Sequence, residues 1–358
     1  MSTPDRNSQT DSARITFTLR ELLIVVTIIG IILALVLPAI NAAREAARRM
    51  QCGNTTGQLC LALLNYQDTY RSLPHGARNR TRDDDVGEST WGTSWLTAIL
   101  PFCEADPLYG QLCNVDAAAS DNDYLSPTMR TNTQQHGAWF MLCPSSPLPR
   151  TQAIGNAELI VPSYAGIMGA NDFAAASSPV LDSQGRIVAG PYGGFAAANG
   201  MLTVNQWLTL ADCKDGHANQ IMIGEVSNWY FDGGRQRNLA LSVADAGDGF
   251  HNEAGWLAGT NLTLTIERGG PAIGVDQVLN LVTIEHAIGT NGKTKEPKWG
   301  TQGIGRCGLN NPLHSAHPAG AMVGFVDGHV QLLSKQTSLD VLKRLAIRDD
   351  GGELPSDY

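Results

Sequence analysis

The stretch TFTLRELLIVVTIIGIILALVLPAI, residues 16–40, decides the reading of this chain. From Leu22 to Ile40 it runs 19 residues without a charge. At ~1.5 Å per helical residue that is roughly 28 Å, about one hydrocarbon thickness of a bilayer. A buried helix of a water-soluble domain is shorter and apolar along one stripe, whereas this one is apolar all round. The pattern predicts one membrane span, and no second stretch compares with it. Glu21 stands at the lip of the span, where an unpaired carboxylate costs several kcal/mol or must neutralise. Glu21 therefore needs a partner. Arg6, Arg14 and Arg20 precede the span and Arg44, Arg48 and Arg49 follow it, so flanking positive charge does not orient it.

The apolar run continues into NAAREAARRMQ (41–51), whose Ala, Arg and Glu are strong helix formers. Leu59, Leu63, Tyr66 and Tyr70 then recur at helical spacing and make one apolar face. The spacing predicts one nearly continuous helix from about Phe17 to Tyr70, ended by SLPHG (72–76), with Pro38 inside it as a kink or a local loosening. Its first half suits lipid or other helices. Its second half needs a folded head. The expected organisation is a polar leader at 1–16, a helical segment at 17–76 with its membrane half at 22–40, and a head at 77–358.

The head is read as α+β: an antiparallel sheet packed on the long helix and ending in a hairpin and a short helix. Across 358 residues, 43% are hydrophobic, only 16% are charged and 38 are glycine, which favours a loop-rich, sheet-containing head over a helical bundle. Strand candidates are Gln220–Val226, Leu262–Glu267, Val278–Ile284 and the pair in AMVGFVDGHVQLLS, while 165–200 reads as irregular. LDVLKRLAI near the C-terminus has helical spacing. The net charge of −9, without a basic run, excludes nucleic acid and anionic headgroups as partners. No G-x-S-x-G, H-E-x-x-H or P-loop occurs, so the expectation is a protein without enzymatic activity.

The beginning of the chain resembles the bacterial type IV prepilin and pseudopilin class: Phe17, Glu21 four residues on, and Pro38 interrupting the apolar helix. The resemblance implies that a prepilin peptidase cuts between Thr16 and Phe17 and methylates the new amine. It also implies that the helix first sits in the inner membrane, with the head outside the cytoplasm, and then enters a pilus or a type II secretion pseudopilus. The partners so implied are that peptidase, the bilayer, other pilin-like subunits and the inner-membrane assembly platform. Thr16 stands where such sites usually carry Gly. One helical turn separates Phe17 from Glu21, so the freed amine would lie within reach of the carboxylate, in one subunit or between staggered ones.

The remainder resembles a narrower group, the planctomycete-type prepilin-like proteins with a C-terminal H-x9-DG signature. MLCPSSP (141–147), SYAG (163–166), DGHANQIMIGE (215–225) and HPAGAMVGFVDGHVQLLS (317–334) look like its internal blocks. The last block supplies His317, Asp327 and Gly328. A metal or catalytic pair of His317 with Asp327, enlarged by His314 and His329, is the sharper reading. The structural reading is preferred: Asp-Gly as a two-residue type I′ turn. That register puts Phe325, Val330, Val323 and Leu332 on one face, and sets His317 some 20–30 Å from Asp327 at ~3.3 Å per residue. His317 is then expected to bond nearby backbone.

Seven cysteines contain no C-x-x-C pair, which argues against zinc knuckles. Cys52 and Cys143 both fall in blocks like those of the resembled group, and a staple between them would tie helix to head. No cofactor is expected. DDD (83–85) and ADAGDGF (244–250) are the places where Ca²⁺ would bind, but solvated loops are the preferred reading. The seven tryptophans are scattered, as core or rim residues are. The competing readings are a binding protein or enzyme on an uncleaved anchor, and a protein secreted after cleavage near INAAREA. The first lacks a catalytic constellation and the second leaves Glu21 unexplained.

Overall fold

The apolar run and its Ala-rich continuation form a single helix, α1, over Leu19–Tyr70, and the helix continues through Pro38 without a break. It ends where Arg71 enters the left-handed region (φ 64°) and donates its N–H to the Gln67 carbonyl at 2.7 Å. That left-handed cap stops the helix just ahead of SLPHG. The chain is described by a computed structural model over residues 18–79, 91–118, 133, 139–154, 157–171, 186–189, 194–232, 235–238, 255–260, 262, 278–290 and 309–354. Residues 1–47 and 48–358 form two compact units, and the division falls inside α1.

In the first unit the helix leaves its apolar side chains uncovered, with Leu19 74% and Leu35 70% exposed. Among the described residues, α1 is the one helix long and apolar enough to cross a membrane. In the second unit Cys52, Thr56, Leu59, Cys60 and Leu63 are all buried. The sequence change from all-round apolar to one-sided apolar thus coincides with a change from bare to packed.

The head is built on a five-stranded mixed sheet. Its strands are β1 (Tyr164–Ala170), β2 (Ile221–Glu225), β3 (Leu281–Ile284), β4 (Gly320–Phe325) and β5 (Val330–Ser334). They lie in the order β3-β1-β2-β4-β5, with β3 parallel to β1 and every other pair antiparallel. The described residues also form short two-stranded ribbons outside this sheet. The fold is α+β, a long N-terminal helix followed by this sheet domain. The strand expected at Leu262–Glu267 lies outside the described residues beyond Leu262.

Both faces of the sheet are covered. The second half of α1 lies against β4 and β5 so closely that a Cβ on Gly53 would meet Met322 Cε at 2.7 Å. A Cβ on Gly324 would run into Cys60 Sγ. Gly324 lets helix and strand approach closely, whereas Gly53 meets only the end of the Met322 side chain. The opposite face carries Ala321, Val323, Phe325 and Leu333 and is covered by α2 (Leu339–Ala346). Ser338 caps α2 by accepting the Val341 N–H at 3.3 Å, and Val341, Leu342 and Leu345 point inward.

Two expectations are corrected. Residues 165–170 are not irregular: they lie in β1, every residue of which is buried. Their small side chains reflect crowding, since a Cβ on Gly166 would stand 2.7 Å from Leu281 Cδ2. The hairpin register also differs by one residue. Gly324 pairs with Val330 and Val323 with Gln331, closed by a three-residue loop, Val326–Asp327–Gly328. A type I′ turn needs positive φ at both central residues, but Gly328 (φ 92°) has it and Asp327 does not. One step of register exchanges faces. Phe325 and Val323 therefore face α2, whereas Val330 and Leu332 belong with the helix side.

Candidate functional site

Thr16 and Phe17, the expected processing site, lie outside the described residues. Glu21 lies in the first turn of α1. Its Oε2 accepts from the Thr18 backbone N–H and the Thr18 hydroxyl, each at 2.9 Å, while its own N–H donates to Thr18 Oγ1 at 3.3 Å. This is a reciprocal capping box. The Thr18-Leu-Arg-Glu21 spacing announces it, a signal the sequence reading passed over. The carboxylate thus has a local partner at the helix start.

A second constellation sits in the head, where four separate segments meet. Cys52 on α1 is joined to Cys143 of the MLCPSSP block by a disulfide, with Cα atoms 5.3 Å apart. The segment entering β1 holds both half-cystines: the Tyr164 hydroxyl donates to the Cys52 carbonyl at 3.4 Å, and Ser163 Oγ accepts the Cys143 N–H at 3.0 Å. His317 Nε2 lies 3.8 Å from Cys143 Sγ, and its backbone N–H donates to Ser315 Oγ at 3.0 Å. The fourth member is Glu225, the last residue of β2. One ligand-capable atom from each of Cys52, Cys143, Glu225 and His317 falls within 4.8 Å of all the others.

Glu225 is fully buried. Its Oε1 accepts from the Ser227 hydroxyl at 2.5 Å and its Oε2 from the Met322 N–H at 3.1 Å. Burial pushes its carboxyl well above the usual range, and the Ser227 and Met322 donors, the His317 imidazole and Ser315 act against that. The sequence reading missed Glu225 as a site. The signal was a lone acid ending the apolar run IMIG, the same oddity that singled out Glu21.

His317 and Asp327 do separate work. The ring of His317 is buried beside the cystine, ahead of the first residue of β4, whereas Asp327 sits in the loop beyond its last. Asp327 Oδ1 instead meets His329 Nδ1 at 2.6 Å, and the His329 ring stacks on Phe325 with centroids 3.9 Å apart. His314 is placed by its N–H on the Glu225 carbonyl at 3.1 Å, but it is not one of the four converging groups. Gly328 closes the hairpin and Pro38 lies in the exposed part of α1. The acidic runs considered for Ca²⁺, 83–85 and 244–250, lie outside the described residues.

Trp95 and Trp256 are core residues, fully buried, while Trp207 is 62% exposed. Trp207 packs on His75 (centroids 4.2 Å apart) at the rim of a cavity of about 290 Å³ that Tyr66, Tyr70, Arg78 and Tyr109 also line.

These features define a class: an α+β head carrying a buried cystine, imidazole and carboxylate, preceded by an apolar helix suited to a membrane anchor or signal sequence. Residues 41–340 match the family described as "Protein of unknown function (DUF1559)", and the chain belongs to that family. No curated protein matches the chain, and no solved structure does.

Proposed function

We propose that this protein is a pilin-like structural subunit, without enzymatic activity or a cofactor in that role. It is inserted as a single-pass protein of the inner membrane with its head outside the cytoplasm. It is then processed before Phe17 by a prepilin peptidase and assembled on an inner-membrane platform into a pilus or secretion pseudopilus. The observation that carries this reading is the uncovered apolar half of α1 with one carboxylate at its first turn. Lipid covers such a surface before assembly, and the same surface of other subunits covers it afterwards. Glu21 would accept the freed amine of Phe17 in addition to its Thr18 contacts, since a carboxylate offers about four acceptor positions. The cystine supports an extracytoplasmic head, because such bonds persist in oxidising compartments.

A second reading, an anchored extracytoplasmic binding protein, is favoured by the aromatic cavity beside Trp207. Aromatic side chains around an open cavity suit a planar or sugar-like ligand. One experiment separates the two. The mature N-terminus is sequenced, and sheared extracellular material is imaged with an antibody to the head. A subunit begins at Phe17 and labels filaments. A chain that keeps residues 1–16 and stays in the membrane fraction defeats the subunit reading and leaves the anchored one.

A further inference from the structure

We propose that the chain in its dithiol state binds one Zn²⁺ through Cys52 Sγ, Cys143 Sγ, His317 and Glu225, so that disulfide and metal are alternative occupants of one site. The four donors are of the types zinc takes: thiolate, imidazole and carboxylate. A tetrahedral site with Zn–S of ~2.3 Å and Zn–N and Zn–O of ~2.0–2.2 Å has donors roughly 3.3–3.8 Å apart. The four donor atoms already lie within 4.8 Å of one another, so occupation asks the outer donors to draw in by at most about an ångström, while the two sulfurs, released from their bond, move apart. All four residues are at most 4% exposed. Zinc knuckles are recognised by paired cysteines close in sequence. Here 91 residues separate the two, and the remaining donors come from β2 and the approach to β4, so only the fold displays the site.

A structural disulfide requires neither a buried carboxylate nor an imidazole beside it. The donors already on Glu225 orient it without exhausting it: Ser227, Met322 and Ser315 use three of the about four acceptor positions a carboxylate offers, leaving one for a metal. That is the supporting layer found around ligating carboxylates.

The redox step balances with a thiol reductant. The cystine takes two electrons and two protons from two RSH, giving two cysteine thiols and RSSR, and Zn²⁺ binding then releases two protons to solvent. In reverse, a disulfide oxidant forms the bond and expels the metal. A cleft of about 390 Å³, lined by Gln51, Asn54, Gln58, Ser146 and Arg150 among others, reaches Cys143 and gives reagents a path.

The test uses the full chain in detergent, reduced anaerobically and titrated with Co²⁺ and then Zn²⁺. The expected result is one equivalent of Co²⁺ with a thiolate charge-transfer band and tetrahedral visible bands, bleached by Zn²⁺ and absent from the oxidised chain. Glu225→Gln and His317→Gln should each weaken Co²⁺ binding at least tenfold. In the reduced parent, Zn²⁺ should shield Cys52 and Cys143 from alkylation while leaving Cys60, Cys103 and Cys213 unchanged, a readout that holds even if a variant misfolds. The proposal is overturned if the reduced chain takes up no stoichiometric Co²⁺, if both variants bind as the parent does, or if Zn²⁺ shields neither cysteine. A reduced chain that unfolds and is not restored by the metal overturns it too.

Discussion

Replacing Gly324 by Ala probes the contact between α1 and the sheet. The new methyl would run into Cys60 Sγ, with Ile223 Cγ1 at 2.9 Å and Thr56 Cγ2 at 3.2 Å. Neither side can yield freely, because Cys60 and Thr56 are fully buried on the helix and Gly324 is paired on both edges of β4. Overpacking of this kind costs about 1–3 kcal/mol. Cys60→Ala alone removes one buried heavy atom and should cost about 1 kcal/mol. The two changes made together let the methyl occupy the volume that the sulfur vacates, so the double variant should be more stable than the sum of the singles by about 1 kcal/mol. Ile223 still crowds the site, which keeps the rescue incomplete. Urea unfolding of the full chain in detergent, followed by the buried Trp95 and Trp256, measures all four corners. Singles that add to within about 0.5 kcal/mol, or a neutral Gly324→Ala, would refute the direct contact.

Cys52→Ser, measured in chelator, should lose about 4–5 kcal/mol by the loop-entropy argument for a 91-residue separation, seen as a lower urea midpoint. Leu345→Ala, on the fully buried face of α2, should cost about 3–5 kcal/mol in the same assay, and a loss under 1 would mean that α2 does not seal that face. His286 follows β3, where burial first and Lys343 second hold its imidazole down to about 4. The unfolded chain therefore takes up a proton that the folded one refuses between about pH 6.5 and pH 4, and this contribution to stability is lost as pH falls through that window. His286→Gln should gain on the parent across it and match the parent's slope above pH 7, as unfolding at stepped pH would show.

How much of this was legible in sequence depends on how local the determinants were. Helix α1 is legible because each apolar residue reports the same surroundings, and α2 because Ser338 and the Val341–Leu342–Leu345 spacing act within eight residues. The hairpin was legible as a hairpin. Its register was not, because Asp-Gly fits a two-residue or a three-residue loop, and the choice rests on the φ of Asp327, set by packing on either side. β1 was misread since its glycines and alanines answer to Leu281, Leu202 and Trp95, which arrive from distant parts of the chain. The buried cluster needs four segments to meet, so periodicity could not show it. Glu225 left a local trace nonetheless: an acid with no polar neighbour in its own strand.

The position of the cystine has a mechanical consequence. Cys52 is the first buried residue of α1, followed by Thr55, Thr56, Leu59, Cys60, Ala62 and Leu63. Tension drawn along the helix from its N-terminal end would meet a covalent bond before it could peel any of those side chains from the sheet. The head would then bear traction as a riveted joint does, and reducing that one bond would turn the rivet into a zipper that opens residue by residue.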